Sequence, residues 1–182
     1  MSRTFTVRIL AGVLFFAFAV VAYTFQATPP PVLTIEKVHD DLYMIVGDGG
    51  NVAVYVTSEG VILVDDKYDQ DHAQIMARIR SVTNQPVRYI LSTHYHADHS
   101  GGNTQFTNET EIISTRNAHD AIAKKIQSNA PANMVAARVT YNDEMTIFLG
   151  GKEVRAKHYG RGHTNGDAFV YFPAYQIGRA HV

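Results

Sequence analysis

Residues 32–176 predict an α/β domain, on three observations. Val- and Ile-rich runs of strand length recur from Val32 onward, amphipathic helical stretches interrupt them, and a histidine-rich loop follows directly on one apolar run. Val32 to Val38, Leu42 to Val46, Asn51 to Thr57 and Val61 to Val64 read as four successive strands, separated by Asp or Gly turns. Asp69 to Ser81 reads as the first helix. Its Ile75, Ile79 and Val82, with Met76, form one apolar stripe, and Asp69 and Asp71 place negative charge at its start. A strand through Val87 to Leu91 delivers the histidine loop, and another at Glu111 to Ser114 precedes a helix from Asn117 to Gln127. Met145 to Leu149 and Glu153 to His158 form a hairpin turning at Gly150-Gly151, and Ala168 to Phe172 is the last strand.

The N-terminal region has a different character. Arg3 and Arg8 precede Ile9 to Phe25, a run of seventeen uncharged residues rich in Phe, Val, Leu and Ala. Residues 1–26 are therefore expected to be a signal peptide or membrane anchor, with membrane anchoring through residues 9–25, and residues 27–31 a stiff Pro-rich spacer. The arginines favour a cytoplasmic N-terminus, so the domain is expected to be exported: periplasmic, secreted, or anchored with the domain outside the cytoplasm. A formal net charge of −1 with no basic stripe argues against nucleic acid and leaves a small molecule as the expected partner. With no cysteine there is no disulfide framework and no thiolate metal ligand.

Thr93 to Asn103, T-H-Y-H-A-D-H-S-G-G-N, carries the chemistry. His94, His96, Asp98 and His99 offer three imidazoles and a carboxylate, donors that suit zinc and similar divalent metals. A loop leaving the end of a strand can turn His94 and His96 toward one ion, while Asp98 and His99 reach a second. Two ions would acidify a bridging water and hold substrate oxygens, worth several kcal/mol of transition-state stabilisation. Ser100, Gly101 and Gly102 let the backbone bend tightly beside the metals. A metallohydrolase is the leading reading.

H-Y-H-A-D-H resembles the H-x-H-x-D-H signature of the metallo-β-lactamase superfamily. Val61 to Asp66 resembles that family's strand ending in a bracing Asp, and Gly160 to Asp167, G-R-G-H-T-N-G-D, resembles the segment that supplies its third histidine. The resemblance spans Ile35 to Pro173. It implies an αββα sandwich, incomplete in its C-terminal half, and a zinc-dependent hydrolase that attacks an ester, thioester, lactone or β-lactam carbonyl with a metal-bound hydroxide. It also implies His94, His96 and His163 for the first zinc, Asp98 and His99 for a second, and Asp98 as the residue that orients the nucleophile and takes its proton. Asp65, Thr164 and Asp167 would support these ligands from behind.

Two departures qualify the resemblance. Family members with two metals carry a bridging Asp and commonly a further His beyond the third histidine, whereas here only Asp167 lies near His163, which leaves the second site two ligands. Ile177 to Val182, I-G-R-A-H-V, back-translates to ATC GGA AGA GCA CAC GTC, which resembles a sequencing-library adapter. Residues 177–182 are accordingly expected to be a non-native tail. An iron-dependent redox enzyme of the same fold and an inactive metal-binding fragment are the alternative functions. His39, His72, His119 and His158 occupy no motif position and are expected to be surface or hydrogen-bonded residues.

Overall fold

The computed structural model describes residues 32–106, 109–128 and 134–180. The expected leader and spacer, residues 1–31, lie outside the described residues. Among the described residues, eleven strands assemble into two sheets. The larger runs β1 (Thr34–Lys37), β2 (Leu42–Val46), β3 (Val52–Val56), β4 (Val61–Val64), β5 (Val87–Leu91), β6 (Glu111–Thr115) and β7 (Val139–Tyr141), neighbours in space as in sequence. β1 to β4 form an antiparallel meander, and β4 to β7 are parallel. The smaller sheet has the order β11 (Ile177–Arg179), β10 (Phe169–Phe172), β9 (Lys152–Lys157), β8 (Glu144–Leu149), antiparallel throughout.

The central strands β3 and β4 are apolar on both faces because both are covered. One face packs Val52, Val54, Val61 and Leu63 with Ile75 and Ile79 of α1 (His72–Arg80). The other packs Tyr55, Ile62, Val64, Leu91 and Ile113 against Ile147, Val154, Ala156, Val170 and Phe172 of the smaller sheet. The result is three of the four layers expected of an αββα sandwich: helix, sheet, sheet. Smaller-sheet strands alternate strictly, so Thr146, Phe148, Arg155, Phe169 and Tyr171 face away from this core.

Several expected elements differ in detail. The first helix opens as a 3-10 turn at Asp69–Asp71, and neither acidic residue caps α1 through its side chain. Asp69 instead accepts hydrogen bonds from Thr104 and from Gln105, the latter at 2.7 Å, and so fastens the Gly101–Gln105 3-10 segment. β7 and the short α2 (Ala97–Ser100) are additional to the expected elements. α3 (Arg116–Gln127) is capped by Thr115, whose hydroxyl accepts from the Ala118 N–H at 3.1 Å. Ile177–Arg179, within the segment expected to be non-native, pairs with β10 through backbone hydrogen bonds, which depend little on side-chain identity.

Candidate metal centre

Parallel pairing sets the centre at one edge of the sandwich. β4 and β5 run together with Val64 beside Leu91, so Asp65 and the Ser92-Thr93 step leave the sheet side by side. Asp65 N–H donates to the Leu91 carbonyl at 3.0 Å, and Thr93 N–H donates to Asp65 Oδ1 at 2.7 Å. The β9–β10 connection is stitched to the same place by Ala168 N–H, which donates to the Thr93 carbonyl at 2.7 Å. That bond carries His163 to His94 and His96.

His94, His96 and His163 present one ring nitrogen each within 4.8 Å of one another, the one such group of three among the described residues. His163 Nε2 faces His96 Nδ1 at 3.0 Å, which identifies two of the converging atoms. The third follows from a relay. Thr93 donates its hydroxyl hydrogen to Asp65 Oδ2 at 2.9 Å, so at 3.2 Å from His94 Nδ1 its oxygen is left to accept, and His94 carries its proton on Nδ1. His94 Nε2 is then the lone-pair nitrogen. Burial first, then the neighbouring His163 and Lys125, pushes the His96 pKa down and keeps it in the neutral form that binds metal.

Donor chemistry fits zinc. Ligand nitrogens about 2.0–2.1 Å from a tetrahedral ion lie about 3.3 Å apart, between the 3.0 Å of the His163–His96 pair and the 4.8 Å that bounds the group. Supporting groups orient the ligands, as metal-bound histidines require. Asp167 Oδ1 accepts from the Thr164 N–H at 2.9 Å and from the Thr164 hydroxyl, closing the loop beyond His163. Burial opposes ionisation of Asp167, but these bonds outweigh it and hold its pKa below the usual value.

Asp98 and His99 stand beside this group on α2. His99 is buried, its Nδ1 is 2.8 Å from Asp65 Oδ2, and its Nε2 is 3.3 Å from Asp98 Oδ2. Asp65 thus faces both halves of the centre. It is wholly buried; burial raises its pKa, but hydrogen bonding and charge from His99, Arg179 and Thr93 prevail and keep it ionised. No third ligand joins Asp98 and His99 among the described residues.

Four contributors escaped sequence reasoning: Thr93, Asp66, Lys67 and the β2–β3 hairpin. Asp66 Oδ1 accepts from Gly102 N–H at 3.0 Å, while its Oδ2 is buried without a hydrogen-bond partner among the described residues. Gly102 serves through closeness rather than unusual dihedrals, since a Cβ there would sit 2.5 Å from the Asp66 carbonyl oxygen. The other histidines occupy ordinary positions: His119 Nδ1 is 2.8 Å from the Ala137 carbonyl, His158 Nδ1 is 2.7 Å from that of Asp167, and His39 stacks on Tyr175.

Stacked sheets backed by a helix, with a three-histidine centre at the strand ends, define a metal-binding α/β sandwich protein. The family model described as the Metallo-beta-lactamase superfamily matches residues 45–177, well over half of the chain, and the chain belongs to that superfamily. It is 26% identical over 153 residues to a metallo-beta-lactamase type 2 of Elizabethkingia meningoseptica, covering 79% of this chain and 59% of that protein. It is also 26% identical over 146 residues to 2,4-dinitroanisole O-demethylase subunit alpha of Nocardioides sp. (strain JS1661), covering 79% of this chain and 44% of that protein. A solved metallo-beta-lactamase from Pontibacter korlensis shares the fold, with a TM-score of 0.68 at 21% identity over 80% of this chain and 69% of that one. The chain spans between 44% and 59% of the length of these two curated relatives.

Proposed function

We propose that the complete protein is an exported zinc-dependent hydrolase that cleaves a carbonyl substrate: an ester, thioester, lactone or β-lactam. The convergence of His94, His96 and His163 carries this reading, with ring nitrogens within 4.8 Å and the His94 ring oriented by Thr93. These residues would hold one ion, and Asp98 and His99 would contribute to a second. Zinc bound there lowers the pKa of water toward ~7 and polarises a carbonyl oxygen. Asp98, whose carboxylate is 30% exposed beside buried His99, would orient an attacking water and accept its proton. Asp65 would hold the His94 ring, through Thr93, and the His99 ring in place.

The substrate is a small molecule rather than nucleic acid, in keeping with the net charge of −1. Among the described residues no helix is long and apolar enough to cross a membrane. Export would depend on residues 1–26. Zinc content and turnover of a panel containing an aryl ester, a thioester, a lactone and a chromogenic β-lactam test the function. His96→Ala should remove bound zinc and abolish turnover. Full turnover by that variant, or iron in place of zinc after native expression, would overturn it.

A further inference from the structure

Lys67 is the largest charged side chain shut away from solvent beside the centre, and the hydrolytic reading gives it no task. It follows Asp65 and Asp66, and its backbone stands at φ 58°, a left-handed conformation that glycine would adopt at lower cost. A lysine there needs side-chain contacts to offset that strain. The side chain supplies one: Nζ donates to the Asp48 carbonyl at 2.7 Å, across to the turn between β2 and β3. Asp71, Asp48 and Asp98 bring negative charge to the ammonium and Arg179 brings positive charge, against a burial that disfavours the charged form.

That turn lies on the second half of the centre. A Cβ at Gly50 would fall 2.5 Å from His99 Cε1, and one at Gly49 would fall 3.0 Å from Asp98 Cβ. From its other end, the Lys67 carbonyl accepts from Gly102 N–H at 3.0 Å, and Asp66 N–H donates to the His99 carbonyl at 3.0 Å. Residues 65–67 therefore hold His99 from behind while the Lys67 side chain draws the hairpin against its ring.

We infer that Lys67 is a positioning residue: its buried ammonium, tied to the Asp48 carbonyl, clamps the Gly47–Gly50 turn onto Asp98 and His99 and fixes the geometry of that pair. This deepens the hydrolytic reading by assigning what sets its second metal half, yet the clamp itself requires no metal and no turnover.

Amide exchange and imidazole 15N spectra of the metal-free chain test it, so that failure of the clamp and failure of the hydrolase reading are told apart. Lys67→Met should accelerate exchange about 10-fold or more at the hairpin end of the ladder, Ile45 to Val52, with α1 and β5 unchanged within about twofold. The His99 ring signals should broaden or shift while those of His94 hold. Gly50→Ala, which leaves Lys67 in place and pushes the turn away from the His99 side, should give the same local pattern and serves if Lys67→Met fails to fold. Unchanged hairpin exchange in the variant that folds, or acceleration spread evenly over all strands, would overturn the assignment.

Discussion

Thr93 shows how much a metal ligand owes to its neighbour. Its hydroxyl passes the influence of Asp65 to His94, so Thr93→Val should leave the fold intact but weaken zinc binding about 10–100-fold, measured by chelator competition. Asp66 makes a prediction of opposite kind. Burial, then the adjacent Asp65 charge, raises its folded pKa well above the usual value. The folded state therefore holds a proton that the unfolded chain releases near pH ~3.9, and wild-type stability falls as pH rises from there toward the folded pKa. Asp66→Asn has no such slope. Its stability advantage should widen as pH rises above ~4 and level off once the folded pKa is passed, in paired denaturant melts. His94, His96, Asp98 and His99 were legible because metal-ligand types at fixed spacing are rare in one loop, and His163 only through the family resemblance of residues 160–167. Thr93, Asp66 and Lys67 were not, since a Thr before a His or a Lys after two Asp has many ordinary uses until β4 and β5 are seen in register.

At the scale of elements, the β1–β2 turn is tied to the smaller sheet by one carboxylate. Asp41 accepts from Lys152 and from the Tyr175 hydroxyl, and Tyr175 packs edge-on to Tyr55 in the shared core. Burial would raise the Asp41 pKa, but these partners outweigh it and hold it down; the same carboxylate holds the Lys152 pKa up. A depressed acid contributes stability above ~3.9 that is lost as pH falls through its folded pKa. A raised lysine contributes below ~10.4 and loses that contribution as pH rises through its own. Lys152→Met should therefore cost about 0.5–1 kcal/mol, discounted for partial exposure, across the neutral range. The gap from wild type should close toward both pH extremes in thermal melts. Strands such as β3 and β4 were evident from unbroken apolar runs, whereas β7 is three residues with an exposed start, and α2 is masked by ligand spacing that reads as a loop.

Over the whole molecule, the layers follow from which faces are apolar. The larger sheet is apolar on both sides and is covered on both; the smaller sheet is apolar on its inner side and mixed on its outer. Phe148 is 74% exposed and Tyr159 75% exposed on or beside that outer face, where Glu144 pairs with Lys157 and Glu153 with Arg155. Phe148→Lys should lower binding of an apolar fluorescent dye while changing stability by less than about 0.5 kcal/mol. Unaltered dye binding would place the sticky surface elsewhere.

The double duty of Asp65 has a thermodynamic consequence. One carboxylate oxygen, Asp65 Oδ2, accepts from the Thr93 hydroxyl that faces His94 and stands 2.8 Å from His99 Nδ1, so ions bound in the two halves of the centre would be coupled through it. Whatever an ion in one half does to the affinity of the other must be returned in equal measure. Loading of two ions would then be a linked equilibrium routed through that one oxygen atom, and its cooperativity would be open to tuning at a residue that touches neither ion.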